Sequence, residues 1–317
     1  MIEKIRELIN RGNKFLITTH IDPDGDALGS SFSMYYALEG LGKTANVYLK
    51  DPIPYMYEFL PQPIRTEHEF PVNKYDAVFV LDCGDLRRVG NGFEGIRHLG
   101  PIINIDHHRT NDTFGAVNLI DKNASSTAEI IYKLLGELKI SITPDMAINI
   151  YTAIFTDTGS FSYDNTGSDA FLICEEMLRI GVKPSFVSQM VYENNPKERY
   201  LLLGMVFSTM EMYCQDRIAV AYITEEMFKK TNTDKNYSEG FVEYLRGIRG
   251  VEAAILIREV NKKQYKLSMR SKGIVDVASI CESFGGGGHK NAAGCSLEGT
   301  LEEVKNKLKE YFLKEFI

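Results

Sequence analysis

Apolar and polar positions follow two regimes along this chain. In the first half, Phe15-Leu16-Ile17-Thr18-Thr19, Ala45-Asn46-Val47-Tyr48-Leu49, Ala77-Val78-Phe79-Val80-Leu81 and Ile102-Ile103-Asn104-Ile105 are short runs bounded by turn residues. Runs that are apolar at nearly every position predict strands buried on both faces, as in a parallel sheet. Between them lie segments with apolar positions at helical spacing, notably Ala27 to Leu41. Strand and helix patterns in alternation predict a doubly wound, mainly parallel α/β sheet. Ser125 to Glu137, Thr143 to Thr156 and Ser168 to Ile180 read as further helices, the second opened by the start signal Thr143-Pro144-Asp145.

Around Asn194-Asn195-Pro196 the pattern changes. A charged, Leu-rich helix from Lys197 to Met210 reads as a connector. After it come a hairpin-like Tyr213 to Ile223, strands at Ala253 to Glu259 and Tyr265 to Arg270, and a terminal helix from Leu301. This predicts a smaller mixed α/β domain. The expected organisation is residues 1–188 as the first domain, 189–210 as a helical linker and 211–317 as the second domain. Single cores stop growing at about 250–300 residues, so 317 residues fit two domains.

Composition narrows the class. The chain is 44% apolar and 25% charged, with no apolar run near the roughly 18 residues that a membrane span needs. The N-terminal stretch, residues 1–15, mixes charge with Ile and Leu at helical spacing and lacks a signal-peptide core. We therefore expect a cytoplasmic protein without a membrane partner. Cys83, Cys174, Cys214, Cys281 and Cys295 form no C-x-x-C pair, which suits a reducing compartment. A net charge of −7 offers no global field for long nucleic acid, so a nucleotide partner is expected to be short.

In open α/β sheets, ligands bind beyond the carboxyl ends of the strands. The polar clusters of this chain obey that rule: His20-Ile21-Asp22-Pro23-Asp24-Gly25-Asp26 follows the first run, Asp82-Cys83-Gly84-Asp85 the third, and Asp106-His107-His108 closes around the fourth. Pro23 and Gly25 predict an irregular loop on which His20, Asp24 and Asp26 converge. An Asp-rich turn that merely caps the next helix explains the same residues as well. An EF-hand does not, because Ser33 stands where its bidentate Glu is needed. Asp82 ends a buried strand, although a turn Asp is common there. Asp157 ends an apolar helix, where its charge opposes the helix dipole and calls for a cation. A pair of divalent ions accounts for all four clusters. Imidazole and carboxylate donors without thiolate suit Mn²⁺ and tolerate Mg²⁺ or Co²⁺. Two such ions about 3.5–4 Å apart share a carboxylate and hold both oxygens of a phosphoryl displacement.

In this order, H-x3-D-x-D, D-x-x-D, Asp-His-His and a later Asp resemble the four motifs of the DHH phosphoesterase superfamily. Gly285 to Gly294, GGGGHKNAAG, preceded by Met269-Arg270-Ser271, resembles the signature of the DHH-associated domain, so the resemblance spans nearly the whole chain. It implies an active site in the interdomain cleft, with His20, Asp24 and Asp82 on one ion. Asp26, Asp82, His107 and Asp157 fall on the other, with Asp82 bridging. Asp106 would orient the histidines, Asp85 would support the ligands from behind, and His108 would face the phosphate, stabilising charge or protonating the leaving oxygen. Arg270, Ser271, Gly286, Gly287, Gly288 and His289 would clamp a terminal phosphate and part of its sugar, through a guanidinium fork and closely approaching backbone N–H groups. A flexible linker is the alternative for the glycine run, and a surface salt bridge for Arg270.

The implied activity is manganese-dependent hydrolysis of short oligoribonucleotides or dinucleotides to mononucleotides, with removal of the 3′-phosphate of adenosine 3′,5′-bisphosphate (pAp). A cyclic-di-AMP or pApA phosphodiesterase shares the reacting group and is the alternative within the class. A family II pyrophosphatase would carry a different basic signature in its second domain. A RecJ-like nuclease would need further domains, and membrane-bound cyclic-dinucleotide phosphodiesterases carry spans. From another class, a non-catalytic nucleotide-binding module would be marked by a lost ligand. A homodimer is compatible with this architecture.

Overall fold

Six parallel strands build the first sheet: β1 (Lys14–Thr18), β2 (Thr44–Tyr48), β3 (Thr66–Glu67), β4 (Ala77–Leu81), β5 (Ile102–Asp106) and β6 (Val117–Ile120). The computed structural model describes residues 1–90 and 92–315, and the chain divides into two units between Asn194 and Asn195. In the first unit the strand order is β3-β2-β1-β4-β5-β6. The order reverses between β1 and β4, and the crevice beyond their carboxyl ends is the binding position of a doubly wound sheet.

Every residue of β4 and β5 is buried, as uninterrupted apolar runs require. Successive side chains point to opposite faces. Phe15, Ile17, Phe79, Leu81, Ile103 and Ile105 therefore pack into the larger core, with α1 (Ile2–Arg11), α2 (Gly25–Gly40), α4 (Thr127–Glu137), α5 (Pro144–Asp157), α6 (Ser168–Ile180) and α7 (Pro184–Ser188). Leu16, Val78, Val80 and Ile102 pack on the other face, against α3 (Phe93–Leu99).

Within the larger core, α2 crosses α5 along a seam of small residues. A Cβ on Gly25 would lie 2.3 Å from Thr156 Oγ1, and one on Gly29 would lie 2.4 Å from Asn149 O and 2.8 Å from Ala153 Cβ. One turn on, Ser33 Oγ donates to Met146 O at 3.5 Å. The partners run backwards along α5, so the helices are antiparallel, and the start of α2 lies against the end of α5. One residue corrects the expectation of an irregular loop. Asp24 caps α2, accepting from Asp26 N at 3.1 Å and Ala27 N at 3.0 Å, so Asp26 sits in the first helical turn. Pro23 restrains Asp22, two positions before the cap, which leaves the helix to start at Gly25.

The second unit holds α8 (Lys197–Phe207), β7 (Glu211–Tyr213), β8 (Ile218–Ile223), α9 (Glu225–Thr231), α10 (Phe241–Arg246), β9 (Ala253–Asn261), β10 (Gln264–Ser271), α11 (Val277–Ser283), β11 (Gly287–His289), β12 (Ala292–Glu298) and α12 (Leu301–Glu315). Its sheet runs β11-β12-β10-β9-β8-β7, antiparallel except for β8 with β9. The helix expected as a connector is α8, and Leu202 and Val206 place it in this unit's core with Phe241 and Leu245 of α10. The glycine run is no flexible linker. A Cβ on Gly286 would fall 2.2 Å from Gly294 O, and one on Gly288 would fall 2.5 Å from Ala292 O, so the run is pressed onto β12. No helix among the described residues is long and apolar enough to cross a membrane.

Gly29→Ala is expected to cost about 1–3 kcal/mol by forcing the α2–α5 seam apart. Gly136→Ala in α4, where an added Cβ meets nothing within 4 Å, should gain about 0.5–1 kcal/mol. Urea denaturation of both variants checks the pair, and equal midpoints would refute the tight seam.

Candidate active site

At the point where the strand order reverses, the chain leaving β1 is pinned to the neighbouring strand by Thr19 Oγ1, which donates to Leu81 O at 2.8 Å. His20 follows. Its Nδ1 lies 2.7 Å from Ile21 O, an arrangement in which Nδ1–H donates to the carbonyl and Nε2 is left facing Asp82 Oδ2 at 3.4 Å. Asp82 itself comes directly after β4 with a left-handed backbone, φ 53°, a conformation that Asp tolerates better than most residues. Its N–H donates to Ile105 O at 3.0 Å, and its Oδ1 accepts from Thr127 Oγ1 at 2.9 Å.

From the end of β5, Asp106 Oδ1 holds His108 Nδ1 at 2.7 Å, while its Oδ2 accepts from Asn111 Nδ2 at 2.6 Å. His107 turns the other way. Its Nδ1 lies 3.2 Å from Ala124 O, and its Nε2 faces Asp157 Oδ2 at 3.5 Å, Asp82 Oδ1 at 3.7 Å and Asp26 Oδ2 at 3.8 Å. Asp26 also accepts from Thr127 N at 2.6 Å and Ala128 N at 3.0 Å, so it caps α4 across the site. Asp157 is the last residue of α5, with Asn165 Nδ2 donating to its carbonyl at 3.1 Å. Two sets of three donors, His20 with Asp24 and Asp82, and Asp26 with Asp82 and His107, each lie within 4.8 Å of one another and have Asp82 in common.

The charges do not balance. Carboxylates of Asp24, Asp26, Asp82, Asp106 and Asp157 meet the imidazoles of His20, His107 and His108. Burial, then the charges of Asp82 and Asp157, hold Asp26 well above the usual carboxylate range. Burial and the charges of Asp82 and Asp24 push Asp157 up to about 6 against the pull of His107. Burial opposes ionisation of Asp82 too, but His20, His108 and His107 outweigh it and hold this carboxylate well below its ordinary value. For His107, burial pulls down while Asp157, Asp26 and Asp82 push up, the net result being about 10. Oxygen and nitrogen donors with an excess of negative charge fit a hard or borderline divalent cation.

His20, Asp24, Asp26, Asp82, Asp106, His107, His108 and Asp157 are thus brought together. Two expectations need correction. Asp85 does not stand behind the cluster; it caps the short helix at Leu86–Val89 and pairs with the Arg87 guanidinium. Asp106 grips His108, whereas His107 is set by the Ala124 carbonyl. The glycines at 286 and 288 lie against β12, where a Cβ would meet Gly294 O and Ala292 O. In the second unit Arg270 and Ser271 end β10, Ser271 Oγ donates to Asn291 Oδ1 at 3.1 Å, and His289 ends β11. Thr127, Asn111 and Asn165 support the cluster without belonging to any motif. For Thr127 a signal was present: Ser126-x-x-Glu129 is a capping-box pattern, and Glu129 N donates to Ser126 Oγ at 3.2 Å.

A carboxyl group whose folded pKa is raised destabilises the fold where it is ionised. For Asp157 that penalty grows as pH rises from the unfolded value through about 6. Asp157→Asn is therefore expected to raise the melting temperature of chelator-treated protein at pH 7.5, and the gain should fade below pH 5, about where the native carboxyl is protonated. A gain that persists unchanged at pH 4.5 would refute this charge account.

Comparison with known proteins agrees with this geometry. Residues 14–154 match the DHH family, N-terminal domain, and residues 215–315 match the DHHA1 domain. The chain is 34% identical over 303 residues to the bifunctional oligoribonuclease and PAP phosphatase NrnA of Thermus thermophilus, covering 94% of this chain and 89% of that protein. An exopolyphosphatase-related protein from Bacteroides fragilis superposes with a TM-score of 0.91 at 29% identity, over 99% of this chain and 96% of that one. RecJ of Thermus thermophilus, solved in complex with Mn²⁺, shares the fold at a TM-score of 0.55 and 14% identity, over 99% of this chain and 54% of its own. The two matched domains and the relative aligned along most of its length establish that this chain belongs to the DHH family, in the form that carries a DHHA1 domain, and is an enzyme of the phosphoesterase class.

Proposed function

We propose that the protein hydrolyses short oligoribonucleotides to mononucleotides and removes the 3′-phosphate of pAp, using two divalent ions of which manganese is the working metal. The observation that carries this reading is Asp82, placed at the strand-order reversal and common to two donor sets. His20, Asp24 and Asp82 would hold one ion, and Asp26, Asp82, His107 and Asp157 the other. Such ions supply Lewis acidity at a phosphoryl centre and lower the pKa of water. The activity named for the Thermus relative supports the choice of substrates, and the net charge of −7 favours short ones.

The chain's own groups have separable tasks. Thr127 fixes the rotamer of Asp82, and the backbone amides at the start of α4 fix Asp26, so the shared carboxylates are already aimed. The Ala124 carbonyl sets the His107 tautomer, which presents Nε2 to the acidic cluster. Asp106 holds His108 through Nδ1, so that Nε2 is the nitrogen that would give a proton to the leaving oxygen. Arg270, Ser271 and His289 would engage the terminal phosphate from the second unit, with Arg270 supplying planar donors.

Purified protein given Mn²⁺ should convert a 5′-labelled dinucleotide to mononucleotides and pAp to AMP. A chelator should stop both reactions and added Mn²⁺ restore them, and Asp82→Ala should lower kcat by at least about a thousandfold, because one side chain serves both donor sets. Turnover that survives chelation, or a near-normal rate in Asp82→Ala, would sink the two-ion reading. Nucleotide binding without any turnover would favour a sensing module.

A further inference from the structure

From Ile102 to Ile105 strand β5 is apolar except at Asn104, which is fully buried. An amide in such a place costs free energy unless its polar atoms are paired. Here they are. Asn104 Nδ2 donates to Val80 O at 3.1 Å and to Cys83 O at 3.2 Å, and its Oδ1 accepts from Asn111 Nδ2 at 2.9 Å. Neither amide can be turned around: two carbonyls require N–H groups on Asn104, and Thr113 N, which donates to Asn111 Oδ1 at 2.7 Å, requires an oxygen there.

The two carbonyls that Asn104 gathers flank Asp82, and between them the chain takes the left-handed turn at φ 53°. Asn104 thus closes the hook on which Asp82 is carried. Asn104 and Asp106, two positions apart on β5, share one face of the strand, and Asn111 folds back over both. The Nδ2 group that meets Asn104 also donates to Asp106 Oδ2 at 2.6 Å, while Asp106 Oδ1 grips His108. Asp112 N donates to Gly84 O at 3.0 Å, which fastens the loop after His108 to the hook. At the far end of this chain of contacts, His108 Nδ1 stands 3.6 Å from Asp82 Oδ1. A leucine would bury more apolar surface in the same strand, so packing does not account for an amide there.

We propose that Asn104 is a positioning residue: with Asn111 it fixes the Asp82 hook against the Asp106–His108 pair, so that the shared carboxylate and the imidazole keep one spacing. Its polar atoms are all taken within the protein, so it acts through these neighbours. That the spacing serves ion binding and phosphoryl hydrolysis rests on the reading above.

The test compares Asn104→Ala, Asn111→Ala and the double variant of the full chain by melting in EDTA, by calorimetric titration with Mn²⁺, and by kcat and KM for a dinucleotide. Each single substitution should lower kcat and Mn²⁺ affinity by about tenfold to a hundredfold, the usual value of a group that orients metal ligands, and leave KM within about twofold. Because the two amides form one link, the double variant should lose little more than either single one, whereas independent structural contacts would multiply their losses. Asn111 is only partly buried, and its variant serves if Asn104→Ala does not fold. Normal kcat and Mn²⁺ affinity in the folded variant, or losses that multiply in the double one, overturn the proposal. Wild type separates the two readings. If it binds Mn²⁺ without turnover, the enzyme is refuted and Mn²⁺ affinity alone decides the link. If it binds none, the two-ion reading fails and hydrogen exchange in EDTA decides: the Asp82 amide, which donates to Ile105 O, should exchange about tenfold faster in either variant, and wild-type protection there would overturn the link.

Discussion

Mutual repulsion among carboxylates, two of them buried and one half-buried, is the constraint around which the first unit is organised. Asp26, Asp82 and Asp157 would separate if their backbones allowed it, because each ionised neighbour makes the next one harder to ionise. They are carried instead on elements that cannot drift. Asp82 follows a fully buried strand, Asp26 lies in the first turn of one packed helix and Asp157 in the last turn of another. The core around them holds the electrostatic strain, and an incoming cation relieves it. A site of this kind is built to be completed by its ligand.

Much of this arrangement could be read before any coordinates. Ala77 to Leu81 is apolar at five successive positions, which only a strand covered on both faces accommodates, so the position of Asp82 at its tip followed directly. Asp106-His107-His108 was legible for the same reason. The grip on these residues was not. Thr127 meets Asp82 across 45 positions of sequence and Asp26 across 101, and no local pattern encodes a contact of that separation. Asp85 misled because its spacing from Asp82 fits a ligand motif, while the adjacent Arg87 offers its carboxylate a nearer partner. Asp26 was placed on a loop because Pro23 was given reach beyond the residue it restrains.

The second unit uses small residues for a different end. Gly286 and Gly288 stand where β11 comes so close to β12 that no side chain fits, and that approach carries the chain to His289, opposite Ala292 at the start of β12. The run that suggested a cradle of amides also serves as a packing device.

The antiparallel seam of Gly25, Gly29 and Ser33 against α5 has a consequence for the field inside the acidic cluster. It sets the electropositive mouth of one helix, at Asp24 and Asp26, against the electronegative tail of another, at Asp157. The cluster is therefore bounded by helix termini of opposite sign, so that Asp26 and Asp157, both facing His107 Nε2, lie in opposing helix fields.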